Sequence, residues 1–173
     1  MKRFLCGGVL ALTLAGCTGG SGTPLPPGSV MPARTVRVTS VADGDTFAGV
    51  DAAGTIRVRL LSIDAPERAS ATEPAECGAE QAAAALRGLI AGRTVSVTTD
   101  PDADETDRFG RLLAYATVDG RDVGLVLVET GMAAAWYPAS EPEPRRYAGY
   151  ERAERVARAG RVGLWAVCPT IGR

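Results

Sequence analysis

The feature that most limits the fold is a series of five short runs of β-forming residues between Arg34 and Val118, broken by Gly and Asp. The runs are Thr35–Val41, Thr46–Val50, Thr55–Ile63, Thr94–Thr99 and Leu112–Val118. Val, Ile and Thr are stiff at χ1 and suit a pleated, half-buried surface. Asp51-Ala52-Ala53-Gly54 reads as the hairpin turn between the second and third runs. Three other stretches have helical character. Cys77–Ala91 is alanine-rich, with Leu86, Leu89 and Ile90 on one side and Gly92 as its stop. Asp122–Thr130 is apolar and ends at Gly131. Arg145–Ala159 carries Glu151/Arg155 and Glu154/Arg158 at i,i+4.

Five short strands favour a small closed or nearly closed barrel, and the OB-fold is the five-stranded example. The predicted class is α+β, mainly β: a five-stranded OB barrel with three helices, without internal repeats. The start of the chain is not part of it. Lys2 and Arg3 precede an apolar run, Phe4–Leu14, too short to span a bilayer as a helix. The run ends in Leu14-Ala15-Gly16-Cys17, which resembles a bacterial lipobox. Residues 1–16 are therefore expected to be a lipoprotein signal peptide and Cys17 the lipidated residue, with an ordinary secretory signal as the alternative. Two acyl chains on Cys17 would anchor the protein stably. Residues 17–33, rich in Gly, Ser, Thr and Pro, read as a tether. The domain is expected over 34–168, with 169–173 as a C-terminal tail. The expected location is outside the cytoplasm, on the bacterial cell membrane, and the expected state a monomer.

Composition removes several chemistries. The chain has no histidine, which excludes Ser-His-Asp and Cys-His mechanisms and a His-rich zinc site. A metal would be held by oxygen, and hard cations such as calcium or magnesium suit that. Loss of Lys2 and Arg3 takes the 19 basic residues to 17 against 20 acidic, a net charge of −3. Such a chain is not a generally basic nucleic-acid binder, so an anionic ligand requires a local arginine cluster. With Cys6 in the leader and Cys17 lipidated, Cys77 and Cys168 are left. In an exported protein they form either a disulfide or two buried thiols.

Three segments carry charges that packing does not explain: Asp43-Gly44-Asp45-Thr46, Arg59 to Glu67 (RLLSIDAPE) and Asp107-Arg108-Phe109-Gly110-Arg111. Each alone passes for a turn or a solvated strand end. Together they supply two carboxylates for one divalent cation (Asp45, Asp64), a third carboxylate beside Pro66 (Glu67) and two guanidinium groups (Arg59, Arg111). Guanidinium forks match phosphate bidentately. A cation, a base and two arginines are what attack of water on a phosphodiester needs. Asp100, Asp102 and Asp104 imitate a calcium loop, but Glu105 and Arg111 stand where glycine and glutamate are required, so a solvated loop is expected.

VADGDTF, RVRLLSIDAPE and DRFGRLLAY resemble the thermonuclease family, typified by staphylococcal (micrococcal) nuclease, from about Arg34 to Trp165. The resemblance implies a calcium-dependent phosphodiesterase acting on DNA and RNA and releasing 3′-phosphate ends. It implies calcium ligands at Asp45, Asp64 and the Ala65 carbonyl. It implies Arg59 on the scissile phosphate, Glu67 as general base or water-orienting group, and Arg111 stabilising the transition state. Phe109 and Tyr137 would line the nucleotide pocket, with Trp136 leaving the second position open by one residue. Phe109 replaces a tyrosine of the best-known member, and Arg68–Glu76 has one arginine and two glutamates where that member has several lysines. The rival reading is a catalytically inactive OB module that binds nucleic acid or protein; it predicts loss of Arg59, Glu67 or Arg111, and all three are present.

Overall fold

The computed structural model describes residues 32–172; the leader, Cys17 and the tether up to Met31 lie outside the described residues. The strands are β1 (Arg34–Val41), β2 (Thr46–Asp51), β3 (Gly54–Leu60), β4 (Ile63–Asp64), β5 (Thr94–Thr98), β6 (Leu112–Val118), β7 (Arg121–Asp122) and β8 (Ala134–Ala135). The helices are α1 (Ala79–Ile90), α2 (Val123–Glu129) and α3 (Tyr147–Ala159), with a 3₁₀ turn at Gly163–Ala166. The main sheet runs β3-β2-β1-β5-β6-β7, and β3 also pairs with β6. That last pairing is parallel, Val58 opposite Leu112 through Leu60 opposite Ala114, and it closes β1, β2, β3, β5 and β6 into a five-stranded barrel. Barrel and three helices match the predicted class.

Period-two burial drives the barrel: Val36, Val38, Phe47, Val58, Val95 and Val97 point inward while Arg37 and Arg57 face solvent. A register shift between Val38 and Ser40 bends β1, so that it pairs with β2 on one edge and β5 on the other. Helix α1 closes the barrel with Ala82, Ala83, Leu86 and Ile90. Asp122 caps α2, its Oδ1 accepting from Leu125 N at 3.0 Å and from Tyr150 Oη at 2.8 Å, and this ties α2 to α3. Both i,i+4 ion pairs expected on α3 form, at 2.9 and 3.2 Å.

Three expectations are corrected. The third strand does not run to Ile63. Ser62 adopts φ 65°, and that left-handed residue turns the chain so that Ile63 and Asp64 pair with Ala135 and Ala134 instead. The aspartate loop is not wholly solvated. Asp100 is 3% exposed and accepts from Tyr115 Oη at 2.6 Å and Arg145 N at 2.8 Å, which pins the loop to the barrel and to the start of α3. The segment after 168 is not a loose tail, because Ile171 is 4% exposed and joins the core. Cys77 and Cys168 are joined by a disulfide across 91 residues, a closure worth on the order of 4–5 kcal/mol in the chain-entropy model.

Gly44 has no special backbone angle. A Cβ there would lie 2.6 Å from the Ala65 Cβ and 2.7 Å from the Ala82 Cβ, so glycine lets the β1–β2 turn sit against both β4's exit and α1. Gly44→Ala is expected to cost about 1–3 kcal/mol through overpacking, read as a lower urea midpoint with an unchanged slope.

Candidate active site

The site begins where the barrel closes. On β3, Arg59 lies between Thr46 of β2 and Leu113 of β6. The residue is 9% exposed, and its guanidinium makes three hydrogen bonds and a further ion pair. Nη1 donates to Leu60 O and Ile63 O at 2.9 Å each and stands 3.1 Å from Asp45 Oδ2; Nη2 donates to Asp64 Oδ1 at 2.8 Å. One guanidinium thus ties the turn at Leu61–Ser62 to both predicted metal-ligating carboxylates. Asp45 is 1% exposed. Its Oδ2 accepts from Ala65 N at 2.9 Å and its Oδ1 from Thr46 Oγ1 at 3.0 Å, so Asp45 and the Asp64-Ala65 pair meet directly.

Arg111 arrives from the turn before β6. Its Nε donates to Asp107 Oδ2 at 2.7 Å and its Nη1 to Thr46 Oγ1 at 3.3 Å; among the described residues Nη2 has no hydrogen-bond partner. Asp107 Oδ1 accepts the backbone N–H groups of Phe109 and Arg111, both at 2.9 Å. Burial by itself would raise the Asp107 carboxyl, but these N–H groups and the Arg111 side chain outweigh it and hold the group below its ordinary range. Phe109 is 58% exposed, its ring 4.7 Å from the Arg108 guanidinium carbon and 5.4 Å from that of Arg111.

Glu67 follows Pro66 at the site's edge. Its N–H donates to Glu76 Oε2 at 3.0 Å and its carbonyl accepts from Glu76 N at 2.9 Å. Partial burial raises its carboxyl, with Asp43, Asp64 and Glu76 adding to the rise and Arg59 opposing it. Asp45 is pushed up to about 7. Burial is the main cause; Asp43 and Asp64 add to it, while Arg59 and the Ala65 N–H act against it. Both carboxyls are therefore easier to protonate than exposed ones.

A cleft of about 520 Å³ gathers Arg59, Asp64, Glu67, Phe109, Arg111 and Tyr137. Asp45 lies behind it, on Arg59, and Ala65 is buried beside it. Trp136 and Tyr137 both line the cleft, and Tyr137 meets Tyr147 edge-on at 4.5 Å. Sequence reasoning gave no role to Thr46, whose hydroxyl joins Asp45 to Arg111, nor to Asp107 and Glu76, which hold Arg111 and Glu67. Thr46 and Asp107 stood in the quoted motifs. Glu76 left no signal, because its partner is nine residues away across a loop.

An oxygen-only donor set that includes a buried carboxyl fits a hard divalent cation. Among the described residues no group of three or more Asp, Glu, Cys or His is arranged to hold a metal ion.

Fold and cleft define an OB-barrel protein whose mouth sets paired carboxylates against guanidinium groups. The chain belongs to the staphylococcal nuclease homologue family, whose model matches residues 57–167. It is similar to Protein ParB of Escherichia coli, 36% identical over 141 residues, 75% of this chain and 71% of that protein. An uncharacterized endonuclease of Escherichia coli O157:H7 is 35% identical over 133 residues, 75% and 76% of the two chains. The SPbeta prophage-derived endonuclease YokF of Bacillus subtilis (strain 168) is 28% identical over 131 residues, 76% of this chain and 44% of that protein.

Because the folded Asp45 pKa lies above its unfolded value, the folded state binds more protons between the two. Stability of the cation-free protein is therefore expected to rise as pH falls from about 7.5 toward 5, with Glu67 adding to the slope. Urea midpoints in chelator check this, and Asp45→Asn should flatten the dependence.

Proposed function

We propose that this chain is an exported, lipid-anchored, calcium-dependent nuclease that hydrolyses DNA and RNA with low sequence specificity. The observation that carries the reading is the convergence of Arg59, Asp64, Glu67 and Arg111 on one cleft beside exposed aromatic rings. Family membership and the endonuclease names of two relatives support the reaction class.

Asp45, Asp64 and the Ala65 carbonyl would hold the cation, which when bound neutralises phosphate charge and acidifies water. Glu67 takes a proton from the attacking water, or orients it, at its carboxylate oxygen. Burial and neighbouring carboxylates raise its affinity for that proton. Arg59 and Arg111 bind phosphate oxygens, and Arg111 is oriented for this by Asp107. The O–P bond to water forms as the bond to the 5′ oxygen breaks, leaving a 3′-phosphate and a 5′-hydroxyl. Phe109, Trp136 and Tyr137 offer faces on which bases of any identity stack. Phosphate contacts and stacking carry little sequence information, hence the low specificity. Residues 68–76 supply one arginine, already paired with Glu80 at 2.7 Å, so salt dependence should be shallow. Export and anchoring rest on the leader and on Cys17 in its lipobox-like setting.

The test is incubation of the protein with plasmid and with single-stranded nucleic acid, in calcium, magnesium or chelator. Cleavage in calcium and none in chelator is expected; cleavage unaffected by chelator would refute the metal dependence. Glu67→Gln should lose about 10²–10⁴-fold in kcat while still binding nucleic acid. Arg111→Lys should lose about 10²-fold, because one ammonium cannot serve Asp107, Thr46 and phosphate as the planar fork does. Parental turnover in either variant would remove its assigned role.

A further inference from the structure

Glu67 is held by something the barrel does not provide. Residues 68–76 form a loop outside the core, and every position from Arg68 to Cys77 is exposed. The loop's internal bonds are few: Ser70 N to Glu73 O, and Thr72 N and Glu73 N to Ser70 Oγ. Arg68 leaves it to pair with Glu80. What returns the loop to the site is Glu76, with its two hydrogen bonds to the Glu67 main chain. Glu76 is itself exposed and precedes the first buried helical residue, Ala79, by three positions. Its carbonyl accepts from Ala79 N at 3.2 Å.

The next residue is Cys77, and its disulfide reaches Cys168. Cys168 is anchored by its N–H to Leu164 O at 2.8 Å, and Leu164 packs against Gly78. Three residues on, Ile171 enters the core, and at Gly172 a Cβ would stand 2.7 Å from Asp64 Oδ2. One covalent bond therefore joins the residue beside Glu67's clamp to the segment lying against Asp64.

Resting on the reading of Glu67 as the base or water-orienting group, we propose that Glu76 and the Cys77–Cys168 cross-link form one positioning element for Glu67. Glu76 holds the Glu67 main chain, and the cross-link holds Glu76. Neither touches substrate. Their contribution is orientation, so their loss lowers kcat and leaves KM in place.

The experiment measures kcat and KM of the full chain, purified oxidised, on single-stranded DNA in calcium, well below each variant's melting temperature. Glu76→Ala is expected to lower kcat about 10- to 100-fold with KM unchanged. Glu76→Gln, which keeps an acceptor oxygen for the Glu67 N–H, should recover most of it. Cys77→Ser/Cys168→Ser should show a similar kcat loss, and adding Glu76→Ala to it should cost little more, because both changes break one element. Parental kcat in Glu76→Ala overturns the proposal. Multiplying losses would show that the cross-link acts elsewhere and overturn the link between the two. Should the cysteine pair fail to fold, Glu76→Ala against Glu76→Gln still decides the clamp. A Glu67→Gln enzyme as fast as the parent would instead remove the reading of Glu67 beneath it.

Discussion

A single buried guanidinium organises this molecule. Arg59 brings a full charge into the closure of the barrel, and charge in such a place is tolerated only when paired and hydrogen-bonded. It finds two carboxylates and two carbonyl oxygens. The carbonyls belong to the turn that ends β3, so the charge also shapes the backbone: with Leu60 O and Ile63 O held from one side, Ser62 is kept at its positive φ. That turn sends Ile63 and Asp64 to pair with β8 rather than onward along the barrel. Removing the guanidinium would leave Asp45 and Asp64 without their shared cation, a loss of about 3–5 kcal/mol in comparable buried pairs. Structure and chemistry cannot be separated at this position.

The same closure explains why residues far apart in the chain converge. Parallel pairing of β3 with β6 sets Val58 opposite Leu112 and Arg59 opposite Leu113, which brings Arg111, the residue before that ladder, within reach of the same corner. Thr46, opposite Arg59 on β2, lies between them, and its hydroxyl reaches both Asp45 and Arg111. Gly44 allows α1 to press Ala82 against this corner, where any side chain would have held it off. Two guanidinium groups, of Arg59 and Arg111, thereby meet at one mouth in a chain of net negative charge.

Much of this was legible in the residues, for identifiable reasons. Strand alternation and alanine-rich helix character are local signals, and five barrel strands and three helices follow from them to within two residues, except at the end of the third strand. The site motifs were legible because DGDT, RLLSIDAPE and DRFGR place charges where packing has no use for them. What was hidden depends on tertiary pairing. Ser62 does not announce a left-handed turn, since the force that holds it comes from Arg59. The two-residue strands β4 and β8 are too short to show a period. Asp100 sits in an acidic run that reads as solvated, and only Tyr115 and the Arg145 N–H, 15 and 45 residues away, bury it. Ile171 fell in the segment read as a C-terminal tail, since nothing local to it announces its burial in the core.

The gathering of buried and half-buried carboxylates in one place has a consequence for stability. Burial first, and then Asp43 and Asp64 as neighbours, raise Asp45 and Glu67, so without a cation the corner opposes its own folding near neutral pH. A barrel of this size has little surplus to set against that, since domain stabilities are about 5–15 kcal/mol. The offsetting terms are found immediately around the corner: Arg59 within it, tight packing of Gly44 behind it, and a long-range disulfide along its rim. The disulfide acts chiefly on the unfolded chain, and so adds stability without adding a contact that would neutralise the charges. Stability at this corner is thus supplied from around the carboxylates and by Arg59, the cation they share.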